Sequence, residues 1–282
     1  MIQNHRMKSI FFIHKKLLKN NKAANYKVLD MQVKKIRACK FSNKKYIFTV
    51  ILLIFSKNIF MNSCLICGSI AENQNFLCKE CAKFALICER RCLKCGNFTL
   101  TPNEPVCFSC KGKKLHFDRI FSLFIYSGSI SKLISEMKYG KVRSIAEILG
   151  CYLAENAPVE LVEGRTVIFP PMRFWDKFIR TFNQAEIFAD RLARRHGLNF
   201  DPKLLKKVRK TAHQAGLDYE ERTKNLKDAF ALTRSVKGEK FLIVDDVCTT
   251  ASTIEEIAKL LKKNGAASVN GLTLARRTPY FG

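Results

Sequence analysis

Residues 1–60 contain no glycine, no proline, no glutamate and no tryptophan, and Asp30 is their only acidic residue. Average usage would put about seven glycines and prolines in a stretch of that length. Lys, Ile, Asn and Phe supply 32 of the 60 residues, which is how AT-rich DNA reads when translated without selection for a fold. Met61 opens a different texture. It is read as the natural start, with residues 1–60 a basic extension outside the fold.

Long apolar runs are lacking too. The run Tyr46–Phe55, YIFTVILLIF, has ten residues, against roughly 20 for a spanning helix and ~7–15 for a signal-peptide core. No small-residue cleavage site follows it. A membrane span is therefore not expected. The placement expected is cytoplasmic, with a peripheral position at the inner membrane, through residues 1–60, as the secondary reading. Without an export signal the twelve cysteines do not read as a disulfide framework, which needs an oxidising compartment.

Acidic residues are the third scarcity. The chain of 282 residues has 24 Asp+Glu against 50 Lys+Arg, a formal charge of +26. Residues 1–60 carry half of that surplus and the remainder of the chain the other half. Such a balance favours polyanionic partners: nucleic acid, phosphate esters or acidic lipid. Hydrophobic content of 47% with 26% charged residues excludes wholesale disorder.

Eight of the cysteines form four CxxC pairs: Cys64/Cys67, Cys78/Cys81, Cys92/Cys95 and Cys107/Cys110. Two intervening residues let both thiolates of a pair reach one ion at the tip of a tight turn. A second pair, a hairpin away, closes a tetrahedral S₄ site. Gly68 and Gly96 follow the first and third pairs, where a knuckle turn wants positive φ. The array predicts two successive zinc ribbons within residues 61–115, with a structural metal, because four sulfurs leave no open position for water or substrate. Cys39, Cys88, Cys151 and Cys248 lack partner spacing and read as incidental.

Residues 116–282 alternate apolar runs with helical periods, the pattern of an α/β domain. Strands are expected at Arg119–Tyr126, Thr166–Phe169, Phe241–Val244 and Ala267–Ala275. Helices are expected at Ile130–Met137, Arg143–Ala154, Asn183–His196 and Ser252–Lys263. Lys203–Lys210, KLLKKVRK, reads as an exposed helix face or a basic track.

The segment Phe241–Thr253, FLIVDDVCTTAST, carries the chemistry. An apolar strand runs into Asp245 and Asp246, then a hydroxyl-rich turn, then a helix. Two carboxylates at a strand end can accept from vicinal ribose hydroxyls or hold hydrated Mg²⁺. The turn amides, the hydroxyls of Thr249, Thr250, Ser252 and Thr253, and the helix N-terminus can cradle a phosphate. Helix capping alone would account for one such residue, not for six in nine positions.

VDDVCTTAST resembles the phosphoribosyl-pyrophosphate (PRPP) motif of type I phosphoribosyltransferases. The cysteine ribbons, MKYG (Met137–Gly140), FPPMR (Phe169–Arg173), RTFNQAEIFAD (Arg180–Asp190), KTAHQAGL (Lys210–Leu217) and ERTKNLKDAF (Glu221–Phe230) precede it in the order of the ComF family of competence proteins. The resemblance covers about residues 61–277. It implies a type I phosphoribosyltransferase fold, a parallel sheet core with a hood, preceded by the zinc module. It implies PRPP at Asp245, Asp246, Thr249, Thr250, Ala251, Ser252 and Thr253, with Mg²⁺ at the aspartates and Phe169–Arg173 near the pyrophosphate. Lys210, Gln214, Arg222 and Asn225 fall in a polar segment folding over the site. The family has glycine where this chain has Ala251 and Thr181.

Arg173, Trp175, Lys177, Phe178, Arg180 and Phe182 interleave cations with rings around the only tryptophan, as single-strand binding requires. Arg173, Trp175, Lys177 and Arg180 are the nucleic-acid candidates. The function implied is handling of incoming single-stranded DNA in the cytoplasm during transformation, with other competence proteins such as a DNA-uptake helicase as partners. The alternative is an active, amidophosphoribosyltransferase-like phosphoribosyltransferase with an unknown acceptor.

Overall fold

The computed structural model describes residues 63–71, 75–87, 90–99, 105–172, 181–208 and 227–278. They lie in one compact unit, Phe60–Gly282. Four strands make a fully parallel sheet: β1 (Arg119–Ile125), β2 (Thr166–Ile168), β5 (Lys240–Cys248) and β6 (Ser268–Arg276), in the order β1-β6-β5-β2. A second sheet pairs β3 (Leu205–Lys207) with β4 (Phe230–Leu232), antiparallel. Thus part of the basic run 203–210 is strand, not helix. The expected strand Phe241–Val244 also runs on to Cys248, so both aspartates belong to β5, with Asp245 in register with Thr273.

Alternation along β5 sorts its side chains onto two faces, as a period of two dictates. Two helices are single turns, α1 (Lys79–Ala82) and α4 (Val159–Val162). Leu242 and Val244 join the cluster of α2 (Gly128–Tyr139), α3 (Arg143–Glu155) and α5 (Gln184–His196). Phe241 and Ile243 join the opposite cluster with α6 (Ser252–Lys263). Each helix earns its place by spacing. Ile130, Leu133, Ile134 and Met137 make one buried stripe on α2, and Ile254, Ile257, Ala258 and Leu261 make one on α6. Asn183 caps α5 by accepting from the Ala185 N–H at 3.1 Å, and Gly197 ends it at φ 62°.

The cysteine segments cover the edge strand β1 from both faces. The first packs Cys64, Phe76, Leu77 and Cys78 into the cluster of α2, α3 and α5. There Phe76, Phe124 and Tyr152 form an aromatic trio, with Phe76 edge-on to Tyr152 at 4.8 Å. The second packs Cys92, Cys95, Cys107 and Cys110 into the cluster of α6. Two of their backbone carbonyls and the Arg91 side chain also take up outward polar groups of β1. Ile120 N–H donates to Lys94 O at 2.8 Å, Ile125 N–H donates to Leu86 O at 2.8 Å, and Arg91 donates to Ser122 O at 3.3 Å. An open sheet edge is a pairing hazard, and here the ribbons close it. Among the described residues no helix is long and apolar enough to cross a membrane.

Candidate functional site

Two Cys₄ groups assemble as the spacing predicts, Cys64–Cys67–Cys78–Cys81 and Cys92–Cys95–Cys107–Cys110. Within each, the sulfurs lie within 4.8 Å of one another. The Cys67–Cys78 sulfurs are 3.6 Å apart and the Cys95–Cys107 sulfurs 3.7 Å apart. A tetrahedral ion with Zn–S bonds of about 2.3 Å sets its sulfurs about 3.8 Å apart, whereas a disulfide needs about 2.05 Å. The donor set therefore fits a tetrahedral thiolate-binding ion. Backbone N–H groups support the sulfurs: Cys81 donates to Cys78, and Cys95 and Cys107 donate to Cys92. Gly68 and Gly96 take φ 73° and 67°, as the knuckles demand. A Cβ on Gly96 would sit 2.7 Å from Ile120 O, so this glycine also permits the ribbon's contact with β1.

The first group's thiols are driven apart. The Ser69 hydrogen bond holds Cys67 down at about 6, and burial pushes Cys81 up to about 12. Four thiols this close resist joint ionisation, and a bound dication removes the obstacle.

Asp245 and Asp246 stand at the carboxyl end of the parallel sheet, where ligands of such folds bind. Asp245 Oδ1 accepts from the Asp246 N–H at 2.8 Å, and Asp246 Oδ1 from the Val247 N–H at 2.6 Å. The second oxygen of Asp246 lies 2.9 Å from Lys138 Nζ, and both side chains are mostly buried. Sequence reasoning missed Lys138 as a site residue, although it sits in the MKYG segment. Its signal was a lysine directly after the last buried residue of the α2 stripe, Met137.

The turn that follows joins β5 to α6. Thr250 Oγ1 and Ser252 Oγ are 2.8 Å apart, and the Ser252 N–H donates to Thr250 Oγ1 at 3.4 Å. Ala251 is the N-cap of α6, at φ 66° and ψ 5°, and contributes no side-chain cap. The helix start thus keeps its anion-binding character. Thr249 and Thr253 are half-buried on the same turn. Thr181, the other residue standing for a glycine, also has positive φ, 62°. Both substitutions therefore keep the glycine backbone at the cost of strain.

After β2, the turn Phe169–Met172 is held by Asn183, whose Nδ2 donates to Pro170 O at 3.1 Å. Next to it, Gln184 is 2% exposed, and its Nε2 has no partner among the described residues. A buried orphan donor beside this turn suits an anionic ligand.

Cys248, read as incidental, is not. It is fully buried and accepts from Nη1 of the buried Arg276. Arg173, Trp175, Lys177 and Arg180, and likewise Lys210, Gln214, Arg222 and Asn225, lie outside the described residues.

A parallel sheet, an acidic pair at its carboxyl edge and a hydroxyl turn opening a helix define a phosphoribosyltransferase-type domain. The family model for the phosphoribosyl transferase domain matches residues 183–279. The chain belongs to the ComF family of competence proteins. DNA utilization protein YhgH of Salmonella typhimurium is 34% identical over 207 residues, which cover 71% of this chain and 90% of that protein. Competence protein F of Haemophilus influenzae is 30% identical over 229 residues, 78% of this chain and 99% of that protein. Among solved structures, the allosteric regulatory enzyme of purine biosynthesis is similar at 21% identity, over 45% of this chain and 25% of that one, with a TM-score of 0.32.

Proposed function

We propose that this protein handles single-stranded DNA in the cytoplasm during natural transformation, and that its phosphoribosyltransferase-type domain binds PRPP with Mg²⁺. One observation carries the reading. The match to competence protein F extends over 229 residues and 99% of that protein, far more than the phosphoribosyl transferase domain at 183–279. The likeness is thus to the whole competence protein and not to a widespread domain alone.

In this reading Asp245 and Asp246 take the ribose hydroxyls and the Mg²⁺, and Thr249–Thr253 with the start of α6 take the 5-phosphate. The turn after β2 and Gln184 attend the pyrophosphate. Zinc fills both Cys₄ groups and holds the ribbons on β1. Arg173, Trp175, Lys177 and Arg180 contribute to DNA binding.

Complementation of a deletion strain tests the proposal, with transformation frequency as the readout. The wild-type gene should restore transformation and the Asp245→Asn/Asp246→Asn variant should not. A deletion that leaves transformation unchanged would refute the competence role. A double variant that complements fully would refute the PRPP role.

A further inference from the structure

Phe108 is 91% exposed, more than any other large apolar side chain among the described residues. It stands at the tip of the Cys107–Cys110 knuckle. The facing knuckle, Cys92–Cys95, carries Leu93, 54% exposed. The four sulfurs of these knuckles converge on one metal-binding position, and the Leu93 N–H donates to Pro105 O at 2.7 Å. Both apolar tips are therefore presented by one stiff, cross-linked turn pair rather than by a loose loop.

The charged residues described on these two knuckles are basic. The described residues from 90 to 117 hold Arg90, Arg91, Lys94, Lys111, Lys113 and Lys114, and no acidic residue. Arg91 lies 4.1 Å over the Phe121 ring and Lys94 lies 6.0 Å over the Phe117 ring, both leaning on the fold. Lys111 and Lys114 are exposed, within six residues of Phe108. Glu255 reaches this run through the His116 ring, 2.6 Å away, and Asp118, next along the chain, is engaged by the Ser268 hydroxyl at 2.6 Å and the Val269 N–H at 2.8 Å.

An exposed ring gains nothing from duplex DNA, whose base faces are already stacked. A ring flanked by ammonium groups matches a single strand, which offers open base faces at intervals along a chain of phosphates. We infer that the second ribbon's knuckle surface binds single-stranded DNA, with Phe108 stacking on a base and Lys111 and Lys114 meeting the neighbouring phosphates. The inference rests on the proposed single-strand role and gives it a surface other than the Arg173–Arg180 run. The metal's part is to hold the ring outward, so a structural ion serves recognition without touching the ligand.

Full-length protein crosslinked by ultraviolet light to oligo(dT), followed by peptide mapping, should place the adduct at Phe108. Phe108→Ala should weaken oligo(dT) binding about tenfold, within what one base stack supplies, at unchanged zinc content. Phe108→Trp should retain the affinity. Lys111→Gln with Lys114→Gln should lower the slope of log K against log salt by about 1.4, two single-strand phosphate contacts. Oligo(rU) and a duplex serve as competitors, and a duplex that competes as well as oligo(dT) would overturn the inference. So would adducts confined to residues 173–180 together with wild-type affinity in Phe108→Ala; either result spares the proposed role. Absence of oligo(dT) binding by the wild-type protein would overturn both.

Discussion

Arg276 directs Nη2 at Cys95 Sγ, 3.9 Å away, while its Nη1 donates to Cys248 Sγ. One buried guanidinium thus joins the second Cys₄ group to the strand that carries the acidic pair. Four thiolates around a dication leave a net charge of −2, and Arg276 is a buried cation in contact with one of them, Cys95. Its guanidinium is held in the charged form against burial by Cys248 and Cys95.

Arg276→Met should therefore weaken the second zinc site selectively. Loss of an outer-shell partner typically costs about 10–100-fold in metal affinity. Competition with a chromogenic chelator should release one ion per chain at lower chelator concentration than in the wild type, and the other unchanged. Release of both ions together would show that Arg276 supports the fold generally.

Lys138 already neutralises Asp246, so a metal ion must compete with an ammonium for that carboxylate. Lys138→Met removes the competitor and should tighten Mn²⁺ binding, measured by paramagnetic resonance without PRPP, about tenfold for a charge at this separation in a wet site. Asp246→Asn in the same background should abolish the gain. Equal Mn²⁺ affinity in wild type and Lys138→Met would place the metal away from Asp246.

The order of the four parallel strands and the four long helices was legible because hydrophobic period reports burial, whereas the short β3–β4 pair offered too few residues to show a period. The α6 stripe of Ile254, Ile257, Ala258 and Leu261 is an unbroken helical repeat, and its ends fall where expected. The Cys₄ groups were legible because ligand spacing is a local property. Lys138 and Arg276 were not. Each acts through a partner more than a hundred or nearly two hundred residues away, and nothing local marks which lysine or arginine folds inward. The extension of β5 through Asp245 and Asp246 was hidden for a related reason. Carboxylates usually end a strand pattern, and only pairing with β6 keeps them in the ladder.

Chelation should do more than unfold two small loops, because the ribbons close the β1 edge and bury Phe76 against Phe124 and Tyr152. Metal-stripped protein should bind an apolar dye and aggregate with rising concentration, as an uncovered edge strand predicts. In protein treated with limiting chelator, Cys67 is the exposed thiol held down at about 6. It should be alkylated first, at a rate that falls as the pH drops through about 6 and the thiolate is protonated. Equal labelling of all eight cysteines would argue against that order.

Ala251 and Thr181 both hold positive φ without being glycine, but replacing them with glycine should have unequal effects. A non-glycine residue in this region stores about 1–3 kcal/mol, with β-branched side chains the worse fit. Ala251 is 8% exposed, so Ala251→Gly forfeits a buried methyl worth about 0.8 kcal/mol. It also adds freedom to the unfolded chain, about 0.4–1 kcal/mol. Those losses offset the relief, and thermal stability should be nearly unchanged. Thr181 is exposed, so Thr181→Gly gives up little burial and should raise Tm by about 2–4 °C, the shift that 1 kcal/mol produces in a domain of this size. The ligand should separate the two further. Only Ala251 stands at the start of α6, where its methyl limits how closely a phosphate approaches the backbone. Calorimetry should therefore find PRPP affinity maintained or improved in Ala251→Gly. A loss of affinity there would mean that the strained turn, rather than open space at the helix start, holds the phosphate.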